Sequence, residues 1–112
     1  VLISAPFGSG KTAAYGIGLL QRVDATMGPC QALVVVPSRE LALQTSKVLQ
    51  GLSDFLGVGT IEACIGGKPV RGMIRDLSRR SIVVGTPGRL SDMITRNALD
   101  LRRLRLVVLD EA

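Results

Sequence analysis

The run Ala5-Pro6-Phe7-Gly8-Ser9-Gly10-Lys11-Thr12 sets a lysine and a hydroxyl directly after two closely spaced glycines. Glycines at Gly8 and Gly10 let the backbone curl until successive N–H groups converge on phosphate oxygens, and a helix N-terminus following them adds its positive dipole end. Ala5, Phe7, Gly8, Ser9, Gly10, Lys11 and Thr12 are therefore the candidate nucleotide-binding residues, with Lys11 reaching the β- and γ-phosphates. Thr12 offers the hydroxyl oxygen that Mg²⁺ accepts. Far along the chain, Leu106-Val107-Val108-Leu109 ends in two adjacent carboxylates, Asp110 and Glu111. An apolar strand ending in two acids is a Walker B pattern: Asp110 would hold the metal and Glu111 would orient the attacking water for in-line phosphoryl transfer. Lys11, Asp110 and Glu111 are the candidate catalytic residues, and Thr12 and Asp110 the candidate metal residues. One position departs from the general loop pattern G-x-x-x-x-G-K-[ST], which opens on glycine where this chain has Ala5.

These residues need elements to hold them. Short aliphatic runs recur at Val1-Leu2-Ile3, at 32–36, at 59–65, at 81–84 and at 106–109, and several are apolar throughout, as strands covered on both faces are. Between them, residues 11–22 and 39–56 read as helices. The second carries Leu41, Thr45, Val48, Leu49, Leu52 and Phe55 as a one-sided stripe. A third helix is expected over 70–79 with Met73, Ile74 and Leu77 inward, and a fourth from Pro87 to about Arg96, proline suiting a first helical turn. The alternation predicts a three-layer α/β/α domain with a mainly parallel sheet and right-handed crossovers. Ligands of such sheets gather at the carboxyl ends of the strands. That rim collects the glycine-rich loop, Pro37-Ser38-Arg39-Glu40, Gly66-Gly67, Thr86-Pro87-Gly88-Arg89 and Asp110-Glu111.

Composition narrows the partners. The chain has 112 residues, 46% of them hydrophobic, which suits one small domain with a buried core. Its longest apolar runs are about five residues against the ~20 that span a bilayer, and no charged-then-apolar leader precedes the loop, so an intracellular protein of cytoplasm or nucleus is expected without a membrane partner. Cys30 and Cys64 lack C-x-x-C spacing and the chain has no histidine, so both read as reduced, buried thiols. The net charge of +5 is uneven: residues 68–105 hold ten Lys/Arg against three Asp/Glu. Phosphate backbones favour such asymmetry. With Phe7, Tyr15 and Phe55 as the whole aromatic set, base stacking has little to work with, so nucleic-acid contacts should go to the sugar-phosphate backbone.

Taken together, Ala5 to Thr12, Pro37-Ser38-Arg39-Glu40-Leu41-Ala42-Leu43-Gln44, Gly66-Gly67, Thr86-Pro87-Gly88-Arg89 and Val108-Leu109-Asp110-Glu111-Ala112 resemble the DEAD-box RNA helicases. In that family the loop ordinarily opens with alanine, which accounts for Ala5. Within it, Gln31-Ala32-Leu33 and Ala63-Cys64-Ile65-Gly66-Gly67 are most similar to the translation-initiation branch and its nuclear relatives. The resemblance implies that residues 1–112 are part of an N-terminal RecA-like ATP-binding domain using ATP and Mg²⁺. It also implies that Pro37, Ser38, Arg39, Gly66, Gly67, Thr86, Pro87, Gly88 and Arg89 line a path for single-stranded RNA, with Glu40 holding Arg89. A second RecA-like domain supplying an arginine finger, and regulatory protein partners, are implied as well. The Arg71, Arg75, Arg79 stripe and the Arg102-Arg103 pair fall outside the family motifs and read as solvated surface.

Two features depart from the family: Phe7 stands where Thr or Ser is usual, and Ser38 where Thr is usual. The upstream glutamine motif, the last Asp of D-E-A-D and the Ser-Ala-Thr motif do not lie within these residues. A helicase-derived module that binds RNA or protein without catalysis is the alternative, the chain alone being expected not to unwind duplexes. A different P-loop NTPase, such as a transporter ATPase or a small-molecule kinase, leaves Pro37-Ser38-Arg39-Glu40 and Thr86-Pro87-Gly88-Arg89 without a role.

Overall fold

A computed structural model describes residues 2–6, 11–24, 28–66 and 70–111. Nine elements alternate along them: β1 (Leu2–Pro6), α1 (Lys11–Arg22), β2 (Ala32–Val35), α2 (Arg39–Leu56), β3 (Ile61–Cys64), α3 (Val70–Leu77), β4 (Ile82–Gly85), α4 (Pro87–Thr95) and β5 (Leu106–Glu111). All strands pair in parallel, in the order β1-β5-β2-β4-β3. The expected three-layer α/β/α architecture is what forms.

Strand alternation divides the core into two. Ala32, Val34, Ile82, Val84, Leu106 and Val108 pack with Tyr15, Leu19 and Leu20 of α1 and Ala42 and Leu49 of α2. Leu33 and Val83 face the opposite way and pack with Met73 and Leu77 of α3 and Leu90 and Met93 of α4. Successive strand residues point to opposite faces, so apolar strands need a helical layer on each side. Gly16 lets α1 approach α2, since a Cβ there would lie 2.7 Å from Leu49 Cδ2.

Helix ends follow their capping chemistry. Ser38 caps α2, its Oγ accepting the Leu41 N–H at 3.2 Å, and Gly57 ends the helix in the left-handed region at φ 71°. Helix α3 stops at Leu77, two residues before the expected end, where the Ser78 hydroxyl donates to the Arg75 carbonyl at 2.6 Å. The third strand is shorter than the predicted 59–65 because Gly59 turns at φ 82° beneath Leu20 and Thr60 pairs with the Ser81 hydroxyl at 2.9 Å. Conversely β1 and β5 run to Pro6 and Glu111, since each extends the other's ladder.

The apolar stripe predicted for α2 holds at Thr45 and Leu49, which are buried, and fails at Val48 and Phe55. Phe55 is 88% exposed and stands seven residues after Val48, on a face of α2 turned away from the buried Thr45, Leu49 and Ser53. Cys30 and Cys64 are free and buried, as expected. Burial pushes the Cys30 thiol up to about 12, the Asp100 charge and Cys64 adding in the same direction. Among the described residues, no helix is long and apolar enough to cross a membrane.

Candidate functional site

Strand order, not chain order, assembles the rim. Strand β5 enters between β1 and β2, which sets Ala5 opposite Asp110 and Pro6 opposite Glu111. The segment that opens the glycine-rich loop and the segment that carries the two carboxylates are thus adjacent strands in register. Phe7, Gly8, Ser9 and Gly10 lie outside the described residues. Lys11, the first residue of α1, is exposed, and Thr12 and Asp110 are partly buried. This is what a strand–loop–helix grip on phosphate requires: a charged lysine at the helix start with an acid across the sheet from the loop.

Oxygen donors dominate this corner. No group of three or more His, Cys, Asp or Glu that could hold a metal forms among the described residues. The described residues thus form no all-protein metal cage. A hydroxyl and one carboxylate suit Mg²⁺, which keeps water and phosphate oxygens for most of its shell.

The structure adds a residue the motif reading passed over. Tyr15 Oη donates to Asp110 Oδ2 at 2.9 Å, bridging α1 and β5 across 95 positions of sequence. Its ring is buried in the core. Burial raises the Tyr15 phenol to about 12; the nearby Thr12 and Thr45 hydroxyls pull it down, and the Asp110 carboxylate pushes it further up. Tyr15 stands three residues after Thr12, one helical turn along the same face. That spacing was the only sequence signal of its place.

The other rim segments cluster on the far side. Strands β2, β4 and β3 are neighbours, with Val35 opposite Gly85 and Gly85 opposite Cys64. Val36 N–H continues the ladder to the Gly85 carbonyl at 3.0 Å. Pro37, Ser38 and Arg39 therefore leave β2 beside Thr86, Pro87, Gly88 and Arg89 leaving β4, with Gly66 following β3. Gly67 lies outside the described residues. Pro37, Arg39, Gly66, Pro87 and Gly88 are exposed and Ser38, Thr86 and Arg89 partly so. Thr86 caps α4 from an extended backbone without a side-chain bond, and Pro87 fills the first turn. Free N–H groups and the positive dipole end at that terminus favour an anion.

Arg89 does not pair with Glu40. Its Nη1 lies 3.1 Å from Asp92 Oδ2, one turn along α4, and its Nη2 lies 3.7 Å from Met73 Sδ. Glu40 belongs to α2, on the other face of the sheet, whereas an i,i+3 partner needs no tertiary reach. Arg89 Nε is buried without a partner. Arg75, Arg79, Arg102 and Arg103 are exposed, as the surface reading had them, with Arg102 held by Asp100 at 2.9 Å.

Comparison with known proteins agrees with this arrangement. The pattern of the DEAD/DEAH box helicase family matches residues 1–112. Eukaryotic initiation factor 4A of Caenorhabditis elegans is 49% identical over 113 aligned positions, and the ATP-dependent RNA helicase FAL1 of Kluyveromyces lactis is 47% identical, both across 100% of this chain. The chain spans 28% of the length of each of these relatives. A solved DEAD box protein from Methanococcus jannaschii superposes with a TM-score of 0.83 at 33% identity, over 96% of this chain and 30% of its own. Saccharomyces cerevisiae Dbp5, solved bound to RNA and ADP BeF3, superposes with a TM-score of 0.75 at 31% identity, over 96% of this chain and 27% of its own. With the strand order, the rim segments and the family pattern in agreement over its whole length, the chain belongs to the DEAD/DEAH box helicase family.

Proposed function

We propose that this chain is part of the first RecA-like domain of an ATP-dependent RNA helicase. It grips ATP with Mg²⁺ at the β1–α1 loop and single-stranded RNA at the ends of β2, β4 and β3. The observation that carries the reading is the partition of the rim. Ala5 and Asp110 sit opposite one another on β1 and β5, while the segments at Pro37, Gly66 and Thr86 follow three neighbouring strands. Nucleotide and RNA thus occupy adjoining halves of one edge. The solved relative bound to RNA and ADP BeF3 supports the same pairing of ligands.

On this reading the residues divide the work. Lys11 holds the β- and γ-phosphates, and the loop residues Ala5 and Phe7 to Gly10 wrap them. Bound Mg²⁺ neutralises charge on the phosphates, with Thr12 and Asp110 as its protein oxygens. Glu111 orients the attacking water. Pro37, Ser38, Arg39, Gly66, Gly67, Thr86, Pro87, Gly88 and Arg89 take the RNA backbone, Gly88 and Arg89 through N–H groups at the start of α4. Fast hydrolysis and strand separation need an arginine finger from a second RecA-like domain, a contribution of about 10³–10⁵ in related phosphoryl transfers. The protein works inside the cell, in cytoplasm or nucleus, with regulatory proteins setting when the two domains close.

Titration of a fluorescent ATP analogue and of labelled single-stranded RNA tests this. Lys11→Ala is expected to weaken Mg²⁺-dependent nucleotide binding at least about tenfold, the loss of a charge-assisted phosphate contact, while RNA binding without nucleotide persists. RNA binding by the unsubstituted protein with no Mg²⁺-dependent nucleotide affinity would instead make it a binding module.

A further inference from the structure

We infer that Tyr15 is a positioning residue of the nucleotide site, its hydroxyl holding the Asp110 carboxylate beside Thr12 so that the two metal-binding oxygens are set before metal arrives. The inference rests on the proposed ATP–Mg²⁺ reading and deepens it. Three observations carry it. First, Tyr15 Oη donates to Asp110 Oδ2 at 2.9 Å, so the carboxylate proposed to hold the metal is oriented by a side chain outside the motifs. Second, Thr12 stands one helical turn before Tyr15 on α1, so the hydroxyl that holds Asp110 lies on the same helix face as the other proposed metal oxygen. Third, the ring is 8% exposed and packs in the core beside Leu19 and Leu20, which fixes the hydroxyl in place.

The chemistry favours a positioning role over simple core filling. A phenylalanine would fill the same volume with no polar group to satisfy, whereas a buried hydroxyl costs stability unless it is hydrogen-bonded. Here the satisfying partner is the metal-site acid, Asp110. A carboxylate that accepts one hydrogen bond keeps its remaining lone pairs for a cation. Outer-shell donors of this kind commonly set ligand orientation and change metal affinity about 10- to 100-fold when lost.

Tyr15→Phe in the full-length protein isolates the hydroxyl, since it retains the ring. The readout is the Mg²⁺ concentration giving half-maximal binding of a fluorescent ATP analogue, together with nucleotide binding in chelator and the melting temperature. Half-saturation by Mg²⁺ is expected to rise about tenfold, while binding in chelator stays within about twofold. In an Asp110→Ala background, Tyr15→Phe is expected to add nothing further, because the group being oriented is gone. A melting-temperature loss with unchanged Mg²⁺ half-saturation would reduce Tyr15 to a core residue, and so would an effect that persists undiminished without Asp110. Absence of Mg²⁺-dependent nucleotide binding in the unsubstituted protein would overturn the ATP reading itself; its presence there, with no shift in Tyr15→Phe, overturns only this inference.

Discussion

Gly85 shows how a single atom constrains the half of the rim proposed to take RNA. A Cβ there would lie 2.9 Å from the Cys64 carbonyl oxygen and 3.0 Å from Leu90 Cγ, so the last residue of β4 must be glycine for Thr86 and Pro87 to open α4 where they do. Gly85→Ala is expected to lower stability by about 1–3 kcal/mol, because a backbone oxygen cannot move aside as a flexible side chain would. Urea denaturation reads this directly; a midpoint equal to that of the unsubstituted protein would show that the strand relaxes. Ser38 combines an observed cap with a proposed RNA contact at the same scale. Its Oγ accepts the Leu41 N–H and still has a proton to give to phosphate. Ser38→Ala should cost about 1 kcal/mol through the cap alone, and Ser38→Thr should recover most of it. Lys11, Thr12, Asp110, Ser38 and Thr86 were legible as candidate site residues because each belongs to a contiguous motif. Tyr15 was not, since its partner Asp110 is 95 positions away.

At the scale of elements, the boundaries of α1 and α2 agree with the sequence reading residue for residue, and in α2 they coincide with the caps that Ser38 and Gly57 form. An apolar residue type does not say how wide the buried stripe of a helix is, and Val48 and Phe55 fall outside it. Leu49 is fully buried, whereas Phe55, on the same predicted stripe, is exposed. Leu49→Ala is therefore expected to destabilise by about 2–5 kcal/mol. Phe55→Ala should stay within about 0.5 kcal/mol, the range of ordinary surface substitutions. Equal losses in the two variants, measured by thermal or urea melts, would mean that Phe55 packs in solution. The Arg89 pairing shows a similar limit: on α4 the near acid Asp92 wins over Glu40 of α2.

For the whole molecule, two buried acids with raised values make high pH destabilising. The Cys30 thiol moves from an ordinary 9.0 to about 12, burial being the main cause and Asp100 and Cys64 adding to it, and Tyr15 moves from 10.0 to about 12, again chiefly through burial. The unfolded chain ionises first, so each group's contribution is complete below its unfolded value and is lost as pH rises towards about 12. Melting temperature should fall from about pH 8 to about pH 10.5, and Cys30→Ala should flatten that fall without abolishing it, since Tyr15 still titrates. A pH-independent melting temperature across this range would count against the burial of both groups. The same burial predicts that Cys30 resists thiol-alkylating reagents until the protein unfolds.

The sequence alone determined the list of parts: five apolar runs, the helical segments between them, the glycine-rich loop, the paired carboxylates and the family to which their order points. These follow from local chemistry, where a residue's neighbours in the chain are its neighbours in space. The tertiary structure decided how the parts meet. Only the insertion of β5 between β1 and β2 sets Asp110 against Ala5 and leaves β2, β4 and β3 as a separate half of the edge. Strand order depends on which crossovers bury both faces of the sheet, a sum over the whole core that no single segment encodes. The Tyr15–Asp110 bond follows from that order, which brings a side chain of the first helix within 2.9 Å of a carboxylate on the last strand.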